Sequence, residues 1–101
     1  MNVYVSGTFV RTRARNFTTI DGVVTDPDTV TLKYRHGAGA TTTVVYPSAP
    51  IVKDATGNYH ADLDTSGFAG PGQELWQAQW TGTGAVAAIG NDAWKVKAPT
   101  L

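Results

Sequence analysis

Apolar and polar positions alternate along most of this chain. In residues 8–15, Val10, Thr12 and Ala14 fall on one side and Arg11, Arg13 and Arg15 on the other, the period-two pattern of a half-buried strand. Residues 29–35 repeat it, with Val30, Leu32 and Tyr34 inward and Thr31, Lys33 and Arg35 outward. Tyr59, Ala61 and Leu63 oppose His60, Asp62 and Asp64, and Trp76, Ala78 and Trp80 oppose Gln77 and Gln79. Residues 41–46 read as the hairpin partner of 29–35 across a Gly-Ala-Gly-Ala loop at 37–40. Pro47 and Pro50 reduce 51–53 to an edge piece. Residues 85–89 and 93–97 read as two closing strands with a bulge or short hairpin at Asn91-Asp92. Turns are expected at Asp21-Gly22, at Asp26-Pro27-Asp28, over 54–58 and at Thr81-Gly82-Thr83-Gly84, and 67–72 as an irregular connection.

Seven or eight short strands joined by turn residues describe a single all-β domain, a β-sandwich spanning residues 1–101. A small closed barrel has the same periodicity. The sandwich is preferred because the inward residues are large: Tyr34, Tyr59, Trp76, Trp80, Trp94 and Val96 would fill the space between two sheets roughly 10 Å apart. Composition agrees. There are 15 Thr, 11 Val and 3 Ile, but one Glu and four Leu, so strand formers far outnumber helix formers.

Charge and cysteine count then narrow the function. Eight basic and eight acidic side chains give zero formal charge, which disfavours a dedicated nucleic-acid or membrane-surface protein. The chain has no cysteine, so disulfides, zinc–cysteine sites, iron–sulfur centres and a thiol nucleophile are excluded. No apolar run approaches the ~18 residues of a membrane span, and the residues from Met1 to Ser6 lack the features of a secretory signal.

The candidate chemistry is sparse. His36 and His60 are the only histidines, and Ser6, Ser48 and Ser66, the only serines, sit in no nucleophile-elbow setting. A small hydrolase dependent on either histidine is therefore not the expected function, and no catalytic residue is assigned. Asp62-Leu63-Asp64-Thr65-Ser66-Gly67 copies the first half of a calcium loop, but Gln73 stands where the bidentate Glu belongs. No metal or cofactor is expected. Asn16-Phe17-Thr18 matches the glycosylation pattern incidentally. Arg11, Arg13 and Arg15 with Lys33 and Arg35 would form one basic patch if their strands were neighbours, a candidate surface for docking protein rather than nucleic acid. A rival reading makes the domain a carbohydrate- or ligand-binding module of adhesin type, with Trp76, Trp80 or Trp94 as a platform.

Three stretches together carry a resemblance: DGVVTDPDTVTLKY (21–34), DATGNYHADLD (54–64) and LWQAQWTGTGAVAA (75–88). Their order is similar to that of small immunoglobulin-like proteins encoded among the virion genes of tailed bacteriophages. The chain departs from that pattern around 48–50 and in the longer 67–72 connection. The resemblance implies an immunoglobulin-like sandwich of seven to eight antiparallel strands. It also implies a non-enzymatic structural role as a head decoration, cement or head–tail connector component. The implied partner is a major capsid or neck or tail protein, met in several copies on a lattice or as a homo-oligomer. Assembly in the reducing host cytoplasm suits a chain without thiols.

Overall fold

A computed structural model describes residues 1–84 and 86–99. It contains eight strands: β1 Val3–Val5, β2 Phe9–Ala14, β3 Thr29–His36, β4 Thr42–Val45, β5 Ile51–Ala55, β6 Asn58–Asp64, β7 Gln73–Thr83 and β8 Ala88–Lys97. No helix occurs among the described residues, and so none is long and apolar enough to cross a membrane. The strands form a five-stranded sheet, β1-β8-β7-β3-β4, and a three-stranded sheet, β2-β6-β5. Every pairing is antiparallel except β1 with β8, which is parallel. The larger sheet is thus mixed, where all-antiparallel strands were expected. β1 itself had no forecast, because three residues are too few to display a period.

The alternation fixes which faces meet. Val10, Thr12 and Ala14 of β2 and Tyr59, Ala61 and Leu63 of β6 are buried against Val30 and Leu32 of β3, Trp76, Ala78 and Trp80 of β7, and Trp94 and Val96 of β8. Tyr34 is only partly buried at the margin. Two loop residues complete the core without having shown any period. Phe17, after β2, meets Tyr59 edge-on at 6.0 Å, and Val86, in the β7–β8 turn, is 1% exposed.

One hydrogen bond crosses the core. Trp80 Nε1 donates to Thr12 Oγ1 at 3.0 Å, joining β7 of one sheet to β2 of the other. Both groups are buried, so each needs the other. Trp94 Nε1, in contrast, is buried with no partner among the described residues.

The C-terminal hairpin corrects the expected boundaries. The predicted turn at 81–84 is mostly strand: β7 runs through Thr83, and its register with β8 is unbroken from Gln73↔Lys97 to Gly82↔Ala88. Gly82 serves packing rather than turning, since a Cβ there would lie 2.8 Å from Phe17 Cε1 and 2.9 Å from Pro27 Cγ. The chain turns instead at Gly84, φ 93°. Asn91-Asp92 is neither bulge nor hairpin, and the two predicted closing strands are one, β8; Ala85 lies outside the described residues. Turns fall as expected at Gly22 and Gly57, both with positive φ, but Asp26-Pro27-Asp28 forms no turn and leads with a bend at Asp28 straight into β3.

The two indoles give a direct comparison. Replacing Trp80 or Trp94 by Phe removes similar ring area, but only Trp80→Phe orphans a buried hydroxyl. Urea unfolding with an unchanged m-value should show Trp80→Phe to be the more destabilising by about 1–2 kcal/mol.

Candidate functional site

The five basic residues proposed as one patch do not lie together. β2 belongs to the three-stranded sheet and β3 to the five-stranded one, so Arg11 and Arg13, with Arg15 just beyond, face away from Lys33 and Arg35. Period two places each set outward correctly. Sheet membership then separates them onto opposite sides of the molecule.

On the smaller sheet the charges are internally balanced. Arg11 lies directly across from Asp62 in the β2–β6 register and grips it with two bonds, Nε to Oδ1 at 2.7 Å and Nη2 to Oδ2 at 2.9 Å. That contact holds the Asp62 carboxyl below its ordinary range. His60, expected outward, is on that face but only 8% exposed. Its Nδ1 is 2.7 Å from Asp54 Oδ1 and its Nε2 is 4.0 Å from Asp62 Oδ2. Both ring nitrogens therefore face carboxylates, and Arg13 stands opposite in the register. Asp64 does not join Asp62 in a ligand set. Its Oδ1 accepts the Ser66 N–H at 2.9 Å, which lowers its pKa. Among the described residues no cluster of three or more His, Asp or Glu is placed to hold a metal.

The larger sheet carries a different outer face. Register places Lys33 and Arg35 of β3 and Lys95 and Lys97 of β8 outward, with Gln77 and Gln79 of β7 and Asn91 of β8 among them. No carboxylate occupies an outward position on any of the five strands. Arg35 Nε donates to Gln77 Oε1 at 3.0 Å, and Gln79 Nε2 to Asn91 Oδ1 at 3.3 Å. Two shallow hollows mark this side. One of about 500 Å³ is bordered by Lys33, Arg35, Gln77 and Gln79, with Asp92 at its β8 side. The other, about 620 Å³, lies between Lys95, Lys97 and the Gly70-Pro71-Gly72 segment. Sequence reasoning missed Lys95 and Lys97. Their alternation with Trp94 and Val96 marks them as outward, but only pairing through β7 brings them beside Lys33 and Arg35.

The tryptophans do not form a platform. Trp76, Trp80 and Trp94 are 4%, 2% and 2% exposed, which removes the surface on which the carbohydrate-binding reading relied. His36 stacks on Trp76 at 4.6 Å. Glu74 Oε1 sits 3.2 Å from His36 Nδ1 and accepts the Trp76 indole N–H at 3.1 Å. Together they close one end of the core.

Asp26 is the other organising carboxylate. It accepts from Lys53 Nζ at 2.6 Å, from the Gly57 N–H at 2.8 Å and from the Tyr59 hydroxyl at 3.1 Å. The Lys53 bond, then the Gly57 N–H, hold its pKa down. Burial, with help from Asp26, pushes Tyr59 up to about 12. Compared with known proteins, the chain matches no family model, no curated protein and no solved structure.

These shifts set the pH limits of stability. Asp26, Asp62 and Asp64 are lowered, so their contribution is present above the unfolded carboxylate value of about 4 and fades as pH falls through their folded values. Tyr59 is raised, so its contribution holds below about pH 10 and is lost as pH climbs toward its folded value. Asp26→Asn keeps an acceptor for Gly57 and Tyr59 but cannot titrate. Urea midpoints should therefore depend less on pH below about 4 in that variant, while phenolate absorbance should show one tyrosine titrating late in the wild type.

Proposed function

We propose that this chain is an immunoglobulin-like docking domain, a non-enzymatic structural component of a tailed-phage particle. In this reading it attaches in several copies to a capsid or neck lattice through the outer face of its five-stranded sheet. Strand order supports the immunoglobulin-like part. A β2-β6-β5 sheet against β8-β7-β3-β4, with β1 parallel on the β8 edge, corresponds to strands B-E-D against G-F-C-C′ plus a switched first strand. In antibody domains a disulfide joins strands B and F. Here the Thr12–Trp80 hydrogen bond joins the equivalent pair, β2 and β7.

The observation that carries the docking part is the carboxylate-free face. A chain of zero net charge sets four of its eight cations on one face whose outward strand positions hold no acid, Asp92 lying only at the margin of the hollow beside Lys33 and Arg35. Three of its carboxylates, Asp54, Asp62 and Asp64, belong to strands of the opposite sheet. Such segregation suits an acidic protein surface, steering approach and fixing orientation more than supplying affinity. No aromatic ring stands outward on the face, so it offers no stacking platform for single-stranded nucleic acid. The Arg11, Arg13 and Arg15 set has no part in this surface. Weak contacts by single copies would be held by multiplicity on the lattice.

The test is cosedimentation with separated heads and tails of the virus that encodes the chain. Wild-type protein should pellet with one component, less so as salt rises. Lys33→Glu with Lys95→Glu should weaken the association by at least about tenfold without altering the fold, whereas Arg15→Glu should not. Failure to pellet with any component overturns the proposal.

A further inference from the structure

β8 is longer than the strand that covers its outer edge. β7 pairs along it from Lys97 to Ala88, but β1 covers Lys95–Lys97 alone. The Lys95 N–H points to the β1 side, where it donates to the Asn2 carbonyl at 2.9 Å. With a period of two, Ala93, Asn91 and Ile89 direct their N–H and C=O to that side as well, beyond the end of β1. Asp92 Oδ1 accepts the Ala93 N–H at 2.9 Å. Among the described residues no strand pairs with Ile89 or Asn91 on this edge. β2, the edge strand of the smaller sheet, borders the same cleft.

The cleft between these two edges has a volume of about 270 Å³ and is lined by Phe17 and Trp80 together with Arg13, Arg15, Ile89 and Asp92. That is slightly below the roughly 300–1,000 Å³ of small-molecule sites, a size for an inserted side chain rather than a cofactor. At its base only the edges of Phe17 and Trp80 are reached, both being buried core residues. Arg11 is neutralised by Asp62, but Arg13 and Arg15 have no carboxylate within salt-bridge distance among the described residues.

We propose that this cleft receives an extended acidic segment of a partner protein by strand addition. The incoming main chain pairs with Ile89 and Asn91 and extends the five-stranded sheet beside β1. Alternate residues of the segment point into the cleft, one small apolar side chain against the edges of Phe17 and Trp80 at its base and a carboxylate two positions away toward Arg13 and Arg15. Charge complementarity selects this occupant: Arg13 and Arg15 line the cleft with no carboxylate partner among the described residues and would face the segment's carboxylate, while Asp92 lies at its β8 side. The site adjoins the cationic face at Asn91 and Asp92 but uses the main-chain edge with Arg13 and Arg15, not Lys33, Arg35, Lys95 or Lys97.

The probe is a synthetic heptapeptide, STVTDTS, compared with STVTKTS, in NMR titrations that follow amide and indole shifts of the full chain. Shifts should appear at Ile89, Asn91, Ala93 and the Trp80 indole, and the lysine peptide should bind about tenfold more weakly or worse. Ile89→Pro removes only an outward, unpaired N–H, so the strand should persist by circular dichroism while binding disappears. Arg15→Gln, at an exposed position, should weaken binding independently, and Lys33→Glu should leave it intact. Absence of shifts at millimolar peptide, equal binding of both peptides, or a dimer by light scattering that Ile89→Pro dissolves would each overturn the proposal.

Discussion

The structure depends on the contact between Trp80 and Thr12. A chain without cysteine has no covalent tie between its layers, so the sheets must be held by burial and by the polar groups that burial traps. Trp80 brings one of the two tryptophans of β7 into the core, and Thr12 brings the one polar side chain of β2's inward row. Their hydrogen bond gives the apolar contact a fixed position. An indole can slide over a greasy surface, but it cannot slide away from a buried hydroxyl without stranding two polar groups at once. Once β7 and β2 are located in this way, the ladders on either side place the remaining strands. Phe17 and Pro27 can then crowd Gly82, and Val86 can fold back beneath the turn.

That arrangement leaves a polar exterior whose two broad faces differ in kind. On the smaller sheet, Arg11 is paired with Asp62 across neighbouring strands and His60 Nδ1 lies against Asp54, while Arg13 and Arg15 have no such partner among the described residues. On the larger sheet the cations meet carboxamides and hydroxyls instead. The difference is one of partnership rather than of total charge. A paired arginine has little left to offer another molecule, whereas Lys33, Lys95 and Lys97 retain their full field. The proposed docking role follows from this asymmetry, and the proposed strand-addition site follows from a different one, the mismatch in length between β1 and β8.

Much of the local structure was legible in the residues. Alternation correctly assigned the inward rows of β2, β3, β6 and β7, because a half-buried strand must repeat every second residue. The tryptophans were rightly placed inside, since a domain this small has little else to bury. The C-terminal hairpin was misread because Thr-Gly-Thr-Gly has the composition of a turn. Only one of its two glycines turns the chain, while the other makes room for Phe17. That distinction depends on a neighbour more than sixty residues away, and no local pattern contains it.

The sequence by itself determined the secondary structure class, the facing of most side chains and the absence of thiol chemistry, because each depends on neighbours within a few residues along the chain. Which strands share a sheet was decided by tertiary structure alone. Period two says that Arg13 and Lys33 both point outward but is silent on whether they point the same way, since outward has two directions in a two-layer fold. The pairing of β3 with β7 and of β2 with β6 sent them to opposite sides. The β3–β7 pairing together with β7–β8 put Lys33 and Arg35 on the same face as Lys95 and Lys97, which lie some sixty residues distant in the chain.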